Sequence, residues 1–546
     1  MARDLKLALI AFTLCASGGA FAQSDSDALK AICDQAAANP VDMTRPAGVH
    51  GVDVNKIAPK IAIPACEAAA KAAPGEPRIA YQLGRAYFAA KAFESARTQF
   101  ETAEKAGYLH ASNSLGVIYF DGLGVPADAE RAVALLEKAA TGGVAVAMLN
   151  LAERYRYGNK VPKDLARASD WMRKGAEAGD LIAMNNYGVM LENGEGVGKN
   201  LAEARQWYEK SAAAGNIVAV SNFGHMLAYG IGGDKDPARA RELFRKSAEA
   251  GHARGKLQYG LAFENGWGGP KDLIEARRWY LAAAEAGNTL GMNNYALLLE
   301  KGEGGDKDPA GARRWFQKSA DAGNASGMFN TARFFASGES GTKDLKEARN
   351  WSLKAANAGN AAAMTRYALL LANGEGGAQD LKEARRWYLK GSEGGNAQAM
   401  NNYAVMLFNG TGGAKDLVAA RDWYRRGAEA GNAMAMKNYG IALASGIAGE
   451  RDPDGARQWA AKAAENGLKV MRPGTRKYRK RAPTGVALAA GEQGHSREAL
   501  YVRCKRALFS RYAFTGVYDG RVQSLMYTDR VGPQIDSCVA NGGNPM

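Results

Sequence analysis

The chain has 546 residues, 47% of them hydrophobic and 23% charged, with a formal net charge of +15. That length exceeds one ordinary core and predicts several domains or one repeat array, and the composition is that of a soluble globular protein. The charge is uneven: residues 1–22 carry +1 and residues 468–546 carry +9, leaving only +5 on the 445 residues between, which excludes a long groove lined by cations for nucleic acid.

The first element is a leader. Arg3 and Lys6 give a basic start, Leu7 to Ala16 an apolar stretch, and Ala20-Phe21-Ala22 a small-x-small cleavage site. Residues 1–22 therefore read as a signal peptide cleaved near Ala22, with Gln23 as the mature N-terminus and a periplasmic or secreted destination. Phe12-Thr13-Leu14 before Cys15 fits a lipidation signal poorly. No stretch reaches the roughly 20 apolar residues of a membrane span, so an integral membrane protein is not expected. Beyond the leader stand Cys33, Cys66, Cys504 and Cys538, two on each side of a long cysteine-free middle. Four cysteines allow three pairings, and an oxidising compartment favours disulfides over buried free thiols. If the middle is an elongated array that separates the ends, the local pairs Cys33–Cys66 and Cys504–Cys538 are favoured. Residues 23–75 are the expected N-terminal cap.

Periodicity dominates residues 108–467. Glycines recur every 36 residues from Gly107 through Gly467, and a second column runs from Gly122 through Gly446 in the same register. Ten units keep phase without insertion or deletion. Within one unit, Met184, Tyr187, Gly188 and Leu191 mark one face of a first helix, which Gly194 ends in the left-handed conformation. Leu201, Ala204, Trp207, Tyr208 and Ser211 mark a second helix, closed by Gly215. Helix pairs of this kind bury their apolar faces only by stacking. The fold class expected is all-α: a right-handed superhelical α/α solenoid of 36-residue helix-turn-helix repeats with disulfide-stabilised terminal modules.

Each column of the repeat has a reading. Asp164, Asp236, Asp272, Asp308, Asp344, Asp380, Asp416 and Asp452, with Asn200 in the same slot, precede the second helix as N-caps, so metal ligation is not needed to explain them. The alanine column from Ala132 to Ala456 lets helices approach closely, and the tryptophans from Trp171 to Trp459 three residues on read as core filler. Trp267 belongs to no such column. It sits in the loop Gly266-Trp267-Gly268-Gly269, either as an exposed anchor for a partner or folded back onto a neighbouring loop. Asn150, Asn186, Asn222, Asn294, Asn330, Asn402 and Asn438 share one first-helix position, where asparagine is a poor helix former; they either tie repeat to repeat or grip a partner segment. An arginine ladder from Arg205 to Arg457 reads as a solvated face paired with nearby carboxylates or as a stripe for an anionic partner.

The unit AMNNYGVMLENGEGVGKNLAEARQWYEKSAAAG, residues 183–215, resembles the Sel-1-like repeat family, an offshoot of tetratricopeptide repeats, and the likeness covers residues 111–467. Residues 76–107 resemble a plain tetratricopeptide unit through Leu83-Gly84, Tyr87, Ala96 and Phe100. Departures are Asn159-Lys160 in the second repeat, Leu243 in place of tryptophan in the fourth, and Thr331 in place of the aromatic in the seventh. Cysteine-rich relatives with a disulfide in each repeat are not matched, so their activities are not carried over. The resemblance implies a scaffold or adaptor in bacterial envelope signalling, secretion or host contact.

After the array comes a basic linker, residues 468–482, in which Arg472, Arg476, Lys477, Arg479, Lys480 and Arg481 cluster. It is either a solvated connector or a contact for an anionic lipid, polysaccharide or acidic partner. Residues 483–546, with Cys504 and Cys538, are the expected C-terminal cap. His50, His110, His225, His252 and His495 are scattered, and no metal pair, phosphate loop or nucleophile elbow is present. No catalytic, cofactor or metal residue is therefore assigned. The expected function is a non-catalytic scaffold binding a protein or peptide in its groove. The alternatives are a peptidoglycan- or polysaccharide-associated envelope factor, or a hydrolase in a terminal module.

Overall fold

The computed structural model describes residues 23–42, 45–339 and 341–467. Among them lie 24 α-helices, one 3-10 turn at Val54–Lys56, and no strand. Residues 1–22, the basic linker and the C-terminal segment with Cys504 and Cys538 lie outside the described residues. From Pro77 onward every helix has 13 residues and pairs with the next, as Leu181–Asn193 does with Leu201–Ala213. The α/α solenoid expected from the sequence is the architecture found.

Capping sets this regular length. The side chains of Asp164, Asp236, Asp308, Asp344, Asp380, Asp416 and Asp452 each accept a hydrogen bond from the backbone N–H three residues on, satisfying donors that the first turn leaves free. A second capping column, not read from the sequence, begins the first helices: Asp180, Asn216, Asn288, Asn324, Asn360, Asn396 and Asn432 act in the same way. At the other end the column from Gly122 to Gly446 holds φ of 66–73°, the left-handed C-cap that a side chain resists.

The core differs from the sequence reading in one respect. Trp351 and Trp387 are buried, but Trp207, Trp279, Trp315 and Trp423 are half-buried. The next residue is the deep one: Tyr208, Tyr280, Phe316 and Tyr388, and Phe244 after Leu243 in the same slot, are no more than 1% exposed. The reason is angular, since adjacent helix residues lie about 100° apart and only one can face the partner helix squarely. First-helix glycines make room for it; a Cβ on Gly188 would lie 2.8 Å from the Tyr208 ring. The tryptophans flank this core edge-on to a tyrosine, as in Tyr295–Trp315 at 5.7 Å and Tyr367–Trp387 at 5.5 Å. Lysines one turn on cover their outer faces, Lys354 lying 4.0 Å from the Trp351 ring and Lys390 4.0 Å from that of Trp387.

Contacts divide the chain after Ala214. The first part opens with α1 (Gln23–Ala37), α2 (Pro59–Ala72), α3 (Pro77–Ala89) and α4 (Phe93–Lys105). A disulfide joins Cys33 of α1 to Cys66 of α2, inside a core of Leu29, Ala37, Ile57, Ile79 and Leu83. The extended loop between α1 and α2 is held by Arg85 of α3, whose guanidinium donates to the carbonyls of Ala37 at 2.5 Å and Val52 at 2.6 Å. The second part begins at Gly215.

Candidate functional site

Three members of the asparagine column donate to the repeat before. The Asn150 amide donates to Asn113 Oδ1 at 2.9 Å, Asn330 to Asn293 Oδ1 at 2.9 Å, and Asn438 to Asn401 Oδ1 at 2.8 Å, each reaching back 37 residues. Gln258 replaces the asparagine in the fifth repeat and accepts from the Ser221 hydroxyl over the same separation. Asn186 and Asn402 are buried and accept from their chain neighbours Asn185 and Asn401 at 3.1 Å. Asn222 accepts from Arg254 at 2.7 Å, and Asn294 is 5% exposed. A helix interior tolerates Asn150, Asn330 and Asn438 because each amide has a defined partner across the stack.

Four arginines of the ladder are also ties, whereas Arg457 pairs with the nearby carboxylate of Asp454 as a solvated face would. Arg277 donates through both terminal nitrogens to the Asp306 carbonyl at 3.0 Å, and Arg349 to that of Ala378 at 3.0 Å. Arg385 donates to Ala414 O at 2.9 Å and Thr411 O at 3.4 Å, and Arg421 to Ile447 O at 3.1 Å and Glu450 O at 3.4 Å. Each arginine thus clamps the glycine-rich loop of the next repeat. A Cβ on Gly377 would lie 2.8 Å, and one on Gly413 2.9 Å, from the clamping nitrogen, so the loop glycine and the arginine are one device.

Trp267 packs back on the repeat before it. Its half-buried ring lies 5.1 Å from that of Tyr229, edge-on, and 6.4 Å from that of Phe244. The candidate contact residues Arg472, Arg476, Lys477, Arg479, Lys480 and Arg481 lie outside the described residues.

One concavity was not legible in the sequence. A cavity of about 330 Å³ lies between the loop after α1 and the first helices of the units beyond it. Asn39, Pro40, Val41, Asp53 and Val54 form one wall; Tyr81, Arg85, Phe88, Asn113, Val117 and Val146 form the other. Val41 and Val54, among the few exposed large apolar side chains described, stand on this wall at 54% and 36% exposure. Polar contacts brace the loop: the Asn39 amide donates to the Tyr81 hydroxyl at 3.0 Å, and the Tyr108 hydroxyl donates to Asp42. Burial holds the His110 imidazole below its ordinary pKa, against the pull of nearby Asp42. The wall residues are far apart in sequence and only stacking brings them together. Chemically the cavity offers an apolar surface with amide and guanidinium edges, suited to receiving a side chain. No group of three or more His, Cys, Asp or Glu able to hold a metal occurs among the described residues.

The same repeat occurs in known proteins. The Sel1 repeat family matches in ten consecutive segments, residues 109–144, 145–180, 181–216, 219–252, 255–288, 289–324, 325–360, 361–396, 397–432 and 433–468. Among solved structures, c5321, a protective antigen present in uropathogenic Escherichia coli strains displaying an SLR fold, is 32% identical, with a TM-score of 0.53 over 73% of this chain and 86% of that one. A Sel1 repeat protein from Oxalobacter formigenes is 26% identical, with a TM-score of 0.44 over 55% of this chain and 87% of that one. No curated protein matches the sequence. With ten successive units matched across most of its length, and the same two-helix unit repeated through the structure, the chain belongs to the Sel1 repeat family.

Proposed function

We propose that the chain is a non-catalytic protein-binding scaffold of the bacterial envelope or the secreted fraction. Sel1-repeat solenoids typically serve as protein-interaction scaffolds, and the structural relative c5321 is described as a protective antigen. The observation that carries the reading is the second position of the first helices. In the second part, successive repeats place there Val218, Arg254, Leu290, Ser326, Ala362, Gln398 and Met434, all but Ala362 half-buried. The second-helix caps repeat around this column with little change. A regular frame that displays a chemically varied, accessible column can read the side chains of a partner one repeat at a time. The cavity beside Val41 and Val54 adds a preformed recess at the start of the array.

Export is part of the same proposal. The leader over residues 1–22 supports it, and so does the Cys33–Cys66 disulfide, because such bridges persist in oxidising compartments. The cluster Arg472 to Arg481 favours a second contact with an anionic envelope polymer or lipid. The test is in-cell crosslinking in the native organism, followed by identification of what is joined to the chain, with N-terminal sequencing of the recovered product. A defined protein partner and a product starting at Gln23 are expected. Crosslinking to cell-wall material alone, or a product that retains Met1, would overturn the scaffold or the export reading respectively.

A further inference from the structure

The amide ties between first helices are not made at every junction. At Asn113–Asn150, Asn293–Asn330 and Asn401–Asn438 an amide of one repeat donates to an amide oxygen of the repeat before. Between the seventh and eighth repeats both members change: Phe329 stands where the acceptor belongs and Arg366 where the donor belongs. A phenylalanine side chain accepts no such bond, and Arg366 Nε is buried without a hydrogen-bond partner. Among the described residues the Arg366 guanidinium has no ion pair either. The nearby Arg333 is already engaged, both terminal nitrogens donating to the Glu300 carboxylate at 2.6 Å. Burial and the repulsion of Arg333 disfavour the charged form of Arg366, with Glu375 only partly opposing them.

A largely buried cation with no partner is costly unless something outside completes it. The surface beside it is also cleared. One turn before Arg366 stands the buried Ala362, and the half-buried Ser326 holds that place in the seventh repeat, where neighbouring repeats carry the larger Leu290, Gln398 and Met434. The chain's own C-terminal segment, residues 468–546, carries +9 and is the wrong sign to fill the place. A guanidinium is built to receive a carboxylate through two parallel hydrogen bonds.

We propose that the first-helix face of the seventh and eighth repeats is a carboxylate-recognition subsite, in which Arg366 receives an acidic side chain from an extended segment of a protein partner. This rests on the scaffold reading above and names the partner chemistry at one place in the array. The phenylalanine in the acceptor place leaves the guanidinium without a tie to the stack, and the short side chain of half-buried Ser326 gives an incoming chain room to approach.

The test uses the full mature chain and three fluorescein-labelled peptides, Gly-Glu-Glu-Glu-Gly, its glutamine counterpart and its phosphoserine counterpart, read by fluorescence anisotropy. The glutamate peptide is expected to bind about tenfold tighter than the glutamine peptide; Arg366→Gln should abolish that preference and Arg366→Lys should keep part of it. Thermal melting of Arg366→Gln should be unchanged or raised, since the substitution removes an uncompensated charge. Ser326→Trp, which fills the cleared surface and keeps the guanidinium, should also abolish the preference, and it decides the matter if Arg366→Gln fails to fold. Equal binding of glutamate and glutamine peptides, or a preference that survives both substitutions, overturns the proposal. A phosphoserine peptide bound about tenfold better than the glutamate peptide overturns the carboxylate as occupant. If the native partner crosslinks equally to wild type and Arg366→Gln, the subsite fails and the scaffold reading stands. If no partner crosslinks while the acidic peptide binds through Arg366, the scaffold reading fails and the subsite stands.

Discussion

Arg385 and Arg386 are neighbours of one type in one helix, and the structure gives them opposite weights. Arg385 reaches the following repeat's loop, donating to Ala414 O and Thr411 O, with its guanidinium 6.0 Å from the Tyr403 ring. Arg386 is 72% exposed and pairs with Glu383, three residues back. Hydrogen bonds from a charged donor contribute about 1.5–3 kcal/mol when buried. Partial exposure of Arg385 reduces each to about 1 kcal/mol, so Arg385→Ala should destabilise the junction by about 2 kcal/mol, and Arg386→Ala by no more than about 0.5 kcal/mol. Repeat arrays respond locally, so the assay is hydrogen exchange read on residues 409–416. Two amides there, of Thr411 and Asp416, bond back to Met406 and Leu407 at 2.9 Å. Exchange should quicken by about 30-fold in Arg385→Ala and hardly change in Arg386→Ala. Gly413→Ala places a Cβ 2.9 Å from the clamping nitrogen, so it should cost stability in wild type and little in the Arg385→Ala background, a coupling that a double-mutant cycle measures. Equal loosening by the two arginine substitutions, or strict additivity with Gly413→Ala, would refute the clamp.

Three further outcomes are expected. Trp351→Ala, at an 8% exposed site packed with Ala320 and Ala332, should cost about 3 kcal/mol, and Trp267→Ala, half-buried on Tyr229 and Phe244, about 1–2 kcal/mol; denaturant titration followed by circular dichroism compares them, and equal costs would contradict the difference in burial. His252, bonded at 3.1 Å to the Ser247 hydroxyl, is pushed down to about 4 by burial and then by Arg254. Its folded value lies below its unfolded one, so this stability is complete above about pH 6.5 and falls away toward pH 4, by at most about 3 kcal/mol; melting curves of wild type and His252→Gln across that window should diverge in slope, and parallel curves would remove the assignment. Reduction of Cys33–Cys66, which closes a 33-residue separation, should destabilise the N-terminal module by about 3–4 kcal/mol; thiol labelling of denatured, unreduced protein should leave both cysteines unreacted.

The periodic part of this protein was open to reading because each repeat is short-range. Glycine every 36 residues, an aspartate (once Asn200) before the second helix and an alanine four residues later are local rules, and local backbone physics enforces them in every unit. Stacking decided the rest. Tryptophan and the residue after it are both apolar, and the angle at which neighbouring helices meet put Tyr208 and Phe316 in the core and left Trp207 and Trp315 at its flank. The arginine ladder looked like a surface stripe because its acceptors are main-chain carbonyls, which carry no sequence signal and lie 26–29 residues away. The asparagine column was visible, but its choice between tie and grip depended on a partner amide 37 residues back. For the same reason Arg366 stood out only after stacking had set Phe329 where its partner should be: the sequence determines the frame through contacts within a repeat, and tertiary structure decides, through contacts between repeats, which polar groups the frame uses and which it leaves for something else.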